Sequence, residues 1–102
     1  VESCHEGGAV MGFKDTIGKP KLRYIPYDSL VAIANVREFG IAKYKDDLGW
    51  KEVPADDFAE ASLRHIYKYF KGELVDPESG LNHLDHALCS LALAVAVTKL
   101  QK

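Results

Sequence analysis

Three of the four histidines, His65, His83 and His86, fall between Ala61 and Ser90, in company with the acids Glu73, Asp76, Glu78 and Asp85. His83 and His86 stand three residues apart, a spacing that puts them on one face of a helix. Glu73 and Asp76 share the same spacing. If two helices meet in antiparallel fashion across Asp76-Pro77-Glu78-Ser79-Gly80, Glu73 comes to lie beside the start of the second helix. Glu73, Asp76, His83 and His86 then converge. Carboxylate oxygen combined with imidazole nitrogen suits a divalent transition metal, whereas carboxylates alone favour magnesium or calcium. Each residue also has a plainer reading. Glu73 and Asp76 can finish a helix, His83 can cushion a helix start, and His65 can be a hydrogen-bonded core residue. His65 can equally reach His86 or Ser90 across the hairpin and join the polar group.

Other residues could meet phosphate. Lys43, Arg64 and the run Lys19, Lys21, Arg23 are candidates, and each is equally readable as a solvated surface charge. Asp57 and Glu60 form a further acidic pair, best explained as compensation of a helix dipole. No P-loop, dinucleotide-binding glycine motif, nucleophile elbow or zinc-protease signature is present, so P-loop chemistry, hydride transfer and serine hydrolysis lose their usual support.

These residues need elements to position them. Residues 1–24 carry Gly7, Gly8, Gly12, Gly18 and Pro20, a density of backbone breakers that predicts an irregular arm, pinned by Ile17, Leu22 and Ile25. A first helix is expected from Pro26 to Ser29 onward, with Asp28 as its N-cap and Gly40 weakening or ending it. Trp50, after the loop Asp46 to Gly49, is expected to anchor that loop to the core. A second helix opens at Pro54, with Asp56, Asp57 and Glu60 at its positive end. Phe58, Ser62, Ile66 and Tyr69/Phe70 form its apolar stripe, and Gly72 lies near its end. Pro77 stops it and Ser79 caps a third helix from about Gly80 to Leu100. On that helix Leu84, Leu88, Leu91 and Val95 form one stripe. His83, His86, Ser90, Ala94 and Val97 form the next. From Ala87 the helix is apolar nearly all round, which in a small protein implies a second chain. The expected fold is all-α: a small bundle with a central antiparallel helical hairpin and an irregular arm, the body spanning 26–102.

Length and composition agree with one domain: 102 residues, 47% hydrophobic, net charge −2. That balance argues against a nucleic-acid polymer as partner. Cys4 and Cys89 lack metal spacing and read as free thiols of a cytoplasmic protein. No secretory signal is visible in VESCHEGGAV. The run Ala87 to Val97 is shorter than the roughly 20 residues a bilayer requires, so no membrane is expected.

The motifs Lys19-Pro20-x-Leu22, Ile25-Pro26, Phe39-Gly40-x-x-Lys43-Tyr44 and Trp50 form one half of a family pattern. Leu63-Arg64-His65, Gly72-Glu73, Asp76-Pro77-Glu78-Ser79-Gly80 and His83-Leu84-x-His86-Ala87 form the other. From Lys19 to Val97 the chain resembles the N-terminal domain of phage dATP/dGTP diphosphohydrolases, a domain associated with the MazG-like all-α NTP pyrophosphohydrolases. The resemblance implies an all-α homo-oligomer in the cytoplasm of a phage host. It would cleave a purine deoxynucleoside triphosphate to monophosphate and pyrophosphate, with magnesium or manganese as cofactor. It implies a metal held by acids on two helices; on the leading reading here Glu73, Asp76, His83 and His86 are metal or water ligands, with His65 and Glu73 as catalytic groups, His65 acting as general base or as a partner to the ligands. Lys19, Lys43 and Arg64 would meet phosphates, and Tyr44 or Trp50 would stack on the base. One departure stands out. MazG-like enzymes use E-x-x-E and E-x-x-D pairs, and here His83-x-x-His86 replaces the second. That leaves open a different metal, or a phage module that binds and sequesters a nucleotide without cleaving it.

Overall fold

A computed structural model describes residues 18–100 and shows an all-α protein. The elements are a 3-10 turn η1 (Leu22–Tyr24), helix α1 (Tyr27–Tyr44), a 3-10 turn η2 (Gly49–Glu52), helix α2 (Ala55–Phe70) and helix α3 (His83–Leu100). The expectations for Ile17, Cys4 and the first seventeen residues of the arm lie outside the described residues.

α3 is the central element: α1 and α2 each pack on it, as does η2. Its buried residues are His83, His86, Ala87, Cys89, Ala94 and Val97. Burial at these positions means that imidazole groups belong to the interior at one end of α3, while small apolar side chains fill the rest. Ser62 of α2 donates its hydroxyl to the carbonyl of Ala87 at 2.9 Å, and His65 meets His83. As the number rises along α2 it falls along α3, so the two helices run in opposite directions along their contact.

Several local boundaries differ from the sequence expectation. The N-cap of α1 is Pro26, not Asp28, which sits in the first turn where its charge meets the helix dipole. Gly40 does not end α1. The helix continues to Tyr44 and stops at Lys45, whose left-handed φ of 55° lets its amide reach the carbonyl of Ile41. Pro77 does not stop α2, which has already ended at Phe70. The stop is Gly72. The amide of Glu73 returns to the carbonyl of Lys68 at 3.0 Å and that of Gly72 to Tyr69 at 3.1 Å, the paired bonds of a Schellman close. Gly72 takes φ +103° to allow it. Ser79 is not the cap of α3. The helix begins at His83, and the Asn82 side chain accepts the amide of Leu84 at 2.7 Å. Phe70 points to water, 76% exposed, while Tyr69 turns inward.

Between α2 and α3 the chain folds back on itself. Val75 and Asn82 form an antiparallel bridge, His83 donates its amide to Leu74, and Asp76 donates to Leu81, both at 2.8 Å. The short ladder fixes Glu73 and Asp76 on one limb against His83 and His86 on the other.

Gly72 is the position on which this return depends. A Cβ there would meet nothing within 4 Å, so a substitution would add backbone strain without a clash. Gly72→Ala is expected to lower stability by roughly 1–2 kcal/mol, the cost of a non-glycine residue in a left-handed conformation. Urea unfolding followed by circular dichroism would measure it.

Candidate functional site

The polar group forms at the end of the α2–α3 seam. Ser79 stands at one side of it. Its hydroxyl donates to Asp76 Oδ2 at 3.1 Å, lies 2.6 Å from His86 Nε2, and accepts the amide of Leu81 at 3.1 Å. A hydroxyl has one hydrogen and two lone pairs. Spending the hydrogen on Asp76 leaves both lone pairs for Leu81 and His86, so His86 donates from Nε2. The valence of Ser79 is then filled. Asp76 Oδ2 is 3.5 Å from the same His86 nitrogen.

On the other side, His65 Nδ1 and His83 Nδ1 lie 2.8 Å apart. Only one of the two facing nitrogens can carry the hydrogen. His83 is wholly buried, and its Nε2 has no hydrogen-bond partner. Glu73 Oε1 is 3.6 Å from that nitrogen. A hydrogen on Nε2 would face a carboxylate, which is electrostatically favourable. We therefore assign His83 its hydrogen at Nε2 and make its Nδ1 the acceptor from His65. His65 is left with a bare Nε2.

The rings also stack. His65 and His86 are nearly parallel with centroids 4.6 Å apart, and the edge of Phe39 from α1 meets His86. Burial holds His65 down to a pKa of about 4, and neighbouring His86 and His83 push the same way. Burial also lowers His86, against the pull of Asp76. Burial alone would raise Asp76, but the Ser79 hydrogen bond and the charge of His86 outweigh it and hold this carboxyl below its ordinary value. Near neutral pH His65 and His86 are thus uncharged beside the ionised carboxylate of Asp76.

A cavity of about 420 Å³ opens between α1, η2 and α3. Trp50, Tyr44, Val36, Phe58 and Leu93 give it apolar walls, and Arg37, Asp46 and Ser90 contribute polar groups. Its volume lies within the ordinary range for small-molecule sites. The wall containing Trp50 is set by Asp46, whose carboxylate accepts the amides of Leu48 and Gly49. Arg37 ties the adjoining loop by donating to the carbonyl of Asp47 at 2.7 Å. Gly40 lines the cavity too, and a Cβ there would meet nothing within 4 Å. Ser90 of the cavity lining is one turn beyond His86 on α3, so one helix carries residues of both.

Of the residues singled out from sequence, His65, Glu73, Asp76, His83 and His86 come together. Glu73 and Asp76 each pair with a different histidine, and no three His, Cys, Asp or Glu side chains among the described residues form a group that could hold a metal. Tyr44 and Trp50 line the cavity. Lys43 stands between the two regions, paired with Glu78 at 2.6 Å and close to the rings of Phe39 and Tyr44. Lys19 and Arg64 are exposed, and no described contact joins either to the group. Sequence reasoning missed Arg37. Its signal was its place seven residues before Tyr44 on the same helix face. It also gave Ser79 only a capping role.

A family model described as dATP/dGTP diphosphohydrolase, N-terminal, matches residues 10–102. The chain belongs to this family. No curated protein and no solved structure matches it. Within the diphosphohydrolase N-terminal domain, the match runs through α1, α2, the 73–83 return and α3, so it takes in both the histidine group and the cavity.

Acid should act on the fold through the histidines. The pKa of His65 is depressed on folding, so the unfolded chain binds more protons between the ordinary histidine value of about 6.5 and about 4. Stability is expected to fall as pH drops through that window and the loss to level off below it. Denaturation midpoints measured from pH 7 to pH 4 should show this slope. His65→Gln should flatten it.

Proposed function

We propose that this domain hydrolyses a purine deoxynucleoside triphosphate to the monophosphate and pyrophosphate. The observation that carries the reading is the contact of His65 with His83 at 2.8 Å, with Glu73 3.6 Å from the far nitrogen of His83, on a helix pair that also lines a cavity with an aromatic wall. In the proposed arrangement the base enters between Trp50 and Tyr44, where stacking holds it. Lys43 turns from Glu78 toward the phosphates, and Arg37 adds a second cation. The bare Nε2 of His65 accepts the proton of the attacking water. His83 passes the stabilising influence of Glu73 to the ring that becomes charged. The oxygen of that water forms the new bond to the α-phosphorus as the bond to the bridging oxygen breaks, and pyrophosphate leaves. General-base help of this kind is worth typically 10²–10⁴-fold in rate.

Magnesium or manganese belongs to this proposal as a companion of the triphosphate. The donors fit that role better than a resident cage. Glu73 with His83 and Asp76 with His86 are two separate couples, each short of the ligands a closed site needs. Magnesium is ordinarily held by one or two carboxylates and by substrate phosphates. Glu73 and Asp76 are the carboxylates that would hold it here, with His83 and His86 beside them. It would neutralise phosphate charge. Separation of the donors into couples is also the observation that favours the second reading, in which the domain binds a nucleotide without turnover.

Purified protein with each common dNTP and NTP, with magnesium, manganese or EDTA, should release pyrophosphate and monophosphate from dATP or dGTP in a cation-dependent way. His65→Gln should lower kcat by about 100-fold or more with KM little changed. Trp50→Ala should raise KM roughly tenfold, since base–aromatic stacking is lost. Tight binding of dATP or dGTP without any turnover would favour sequestration, and no binding would refute both readings. Trp50 is the sole tryptophan, so its fluorescence reports binding directly.

Gly40→Ala separates binding from folding. Alanine should stabilise α1 by roughly 0.5–1 kcal/mol while placing a methyl group in the cavity. A raised urea midpoint with a raised KM for the nucleotide is the expected pair of results.

A further inference from the structure

Every base has a face on which an aromatic side chain can stack, so Trp50 and Tyr44 do not choose between the two purines. The edges of the bases differ. Guanine presents two adjacent donors, its N1 hydrogen and its 2-amino group. Adenine presents at the same places a bare N1, which is an acceptor, and a hydrogen on carbon. The choice therefore falls to the polar group of the cavity that meets this edge.

Arg37, Asp46 and Ser90 are the polar residues set among the aromatic and aliphatic walls. Arg37 is a cation, given to the phosphates in the arrangement above, and it also donates to the carbonyl of Asp47. The Ser90 hydroxyl can donate or accept, so it suits either purine. Asp46 differs from both, because a carboxylate only accepts. Its Oδ1 takes the amides of Leu48 and Gly49 at 3.1 and 3.0 Å. Among the described residues its Oδ2 takes no hydrogen bond. That second oxygen lies against Gly49, where a Cβ would collide with it. The missing side chain of Gly49, itself part of the lining, leaves the oxygen its room. One carboxylate oxygen thus holds the loop, and the other is spare at the cavity.

We propose that Asp46 selects the base and that the base it selects is guanine. Oδ2 accepts from the N1 hydrogen and the 2-amino group together. With adenine the same oxygen faces a lone pair and a hydrogen on carbon, and the exchange of water for base returns no hydrogen bond. This selection rests on the nucleotide reading of the cavity and adds to it the group that separates the two purines.

Asp46→Asn tests the assignment without dismantling the loop. Its carbonyl oxygen can still accept the amides of Leu48 and Gly49, while an NH2 donor replaces Oδ2. Asp46→Ser is the second variant: its hydroxyl can still accept a loop amide, and Oδ2 is gone. The probes are the α,β-methylene analogues of dGTP, dATP and dITP, which cannot release pyrophosphate. Their binding, with magnesium present, is read from Trp50 fluorescence. Wild type should bind the guanine analogue roughly tenfold or more tighter than the adenine one. The hypoxanthine analogue keeps the N1 hydrogen but lacks the 2-amino group, and it should fall between them. Both variants should lose the guanine preference, and with it the cost of the missing 2-amino group. Removing a charge near the triphosphate shifts all three affinities together, so it cancels in their ratios. Equal binding of the guanine and adenine analogues by wild type would overturn the proposal. A guanine preference that survives in either variant would overturn it as well. In both of those cases nucleotide binding itself stands. Failure of wild type to bind any of the three would instead remove the nucleotide reading, and the selection with it.

Discussion

The contact between His65 and His83 is the constraint on which the site depends. Two imidazoles face each other at 2.8 Å inside a helix seam, and one nitrogen must therefore be bare. Everything around the pair serves that arrangement. The Ser62 hydroxyl, one turn away, holds α2 to the carbonyl of Ala87 and sets the register that brings the rings together. The return from Leu74 to His83 closes with paired amides and brings Glu73 to the far nitrogen of His83. Burial then keeps His65 uncharged. A seam of leucines would pack as well and would have no proton to move. The polar residues here cost stability at acid pH, where His65 must be protonated against its burial, and the proposed function uses them as a proton acceptor.

Helix existence was legible because its causes are local. Pro54 followed by two aspartates signals a helix start, and α2 begins at Ala55. The apolar length of α3 needed no tertiary information. Boundaries that rest on competition were harder. Pro77 is the louder signal, but Gly72 acts first, because a left-handed close completes its bonds before proline is reached. Ser79 looks like a cap by type. The bridge between Val75 and Asn82 instead places Asn82 at the helix start and frees Ser79 to join Asp76 and His86. Gly40 reads as a breaker, yet it lies within a helix at a cavity wall where a side chain would intrude.

For the site, spacing identified the histidines and acids but not their partners. The i, i+3 pairs suggested one four-ligand cluster. The structure resolves them into two couples across the return, Glu73 with His83 and Asp76 with His86, and Ser79 bridges the second. Arg37 shares a helix face with Tyr44, a signal that spacing carries, but its tie to the loop at Asp47 depends on that loop folding back on α1. The outward row on α3 was visible as a stripe, but which of the two stripes faced water was not. That choice is made by the histidines, whose ring contacts with α2 turn the other stripe inward.

Nitrogen-15 NMR of the imidazoles at neutral pH tests the proton arrangement most directly. It reports which ring nitrogen carries hydrogen and whether a ring is charged. The expected spectrum shows His65 neutral with hydrogen at Nδ1 and a bare Nε2, and His83 with hydrogen at Nε2. Titration should then protonate His65 only near pH 4. A charged His65 at neutral pH, or hydrogen at its Nε2, would remove the proton acceptor from the site and contradict the relay.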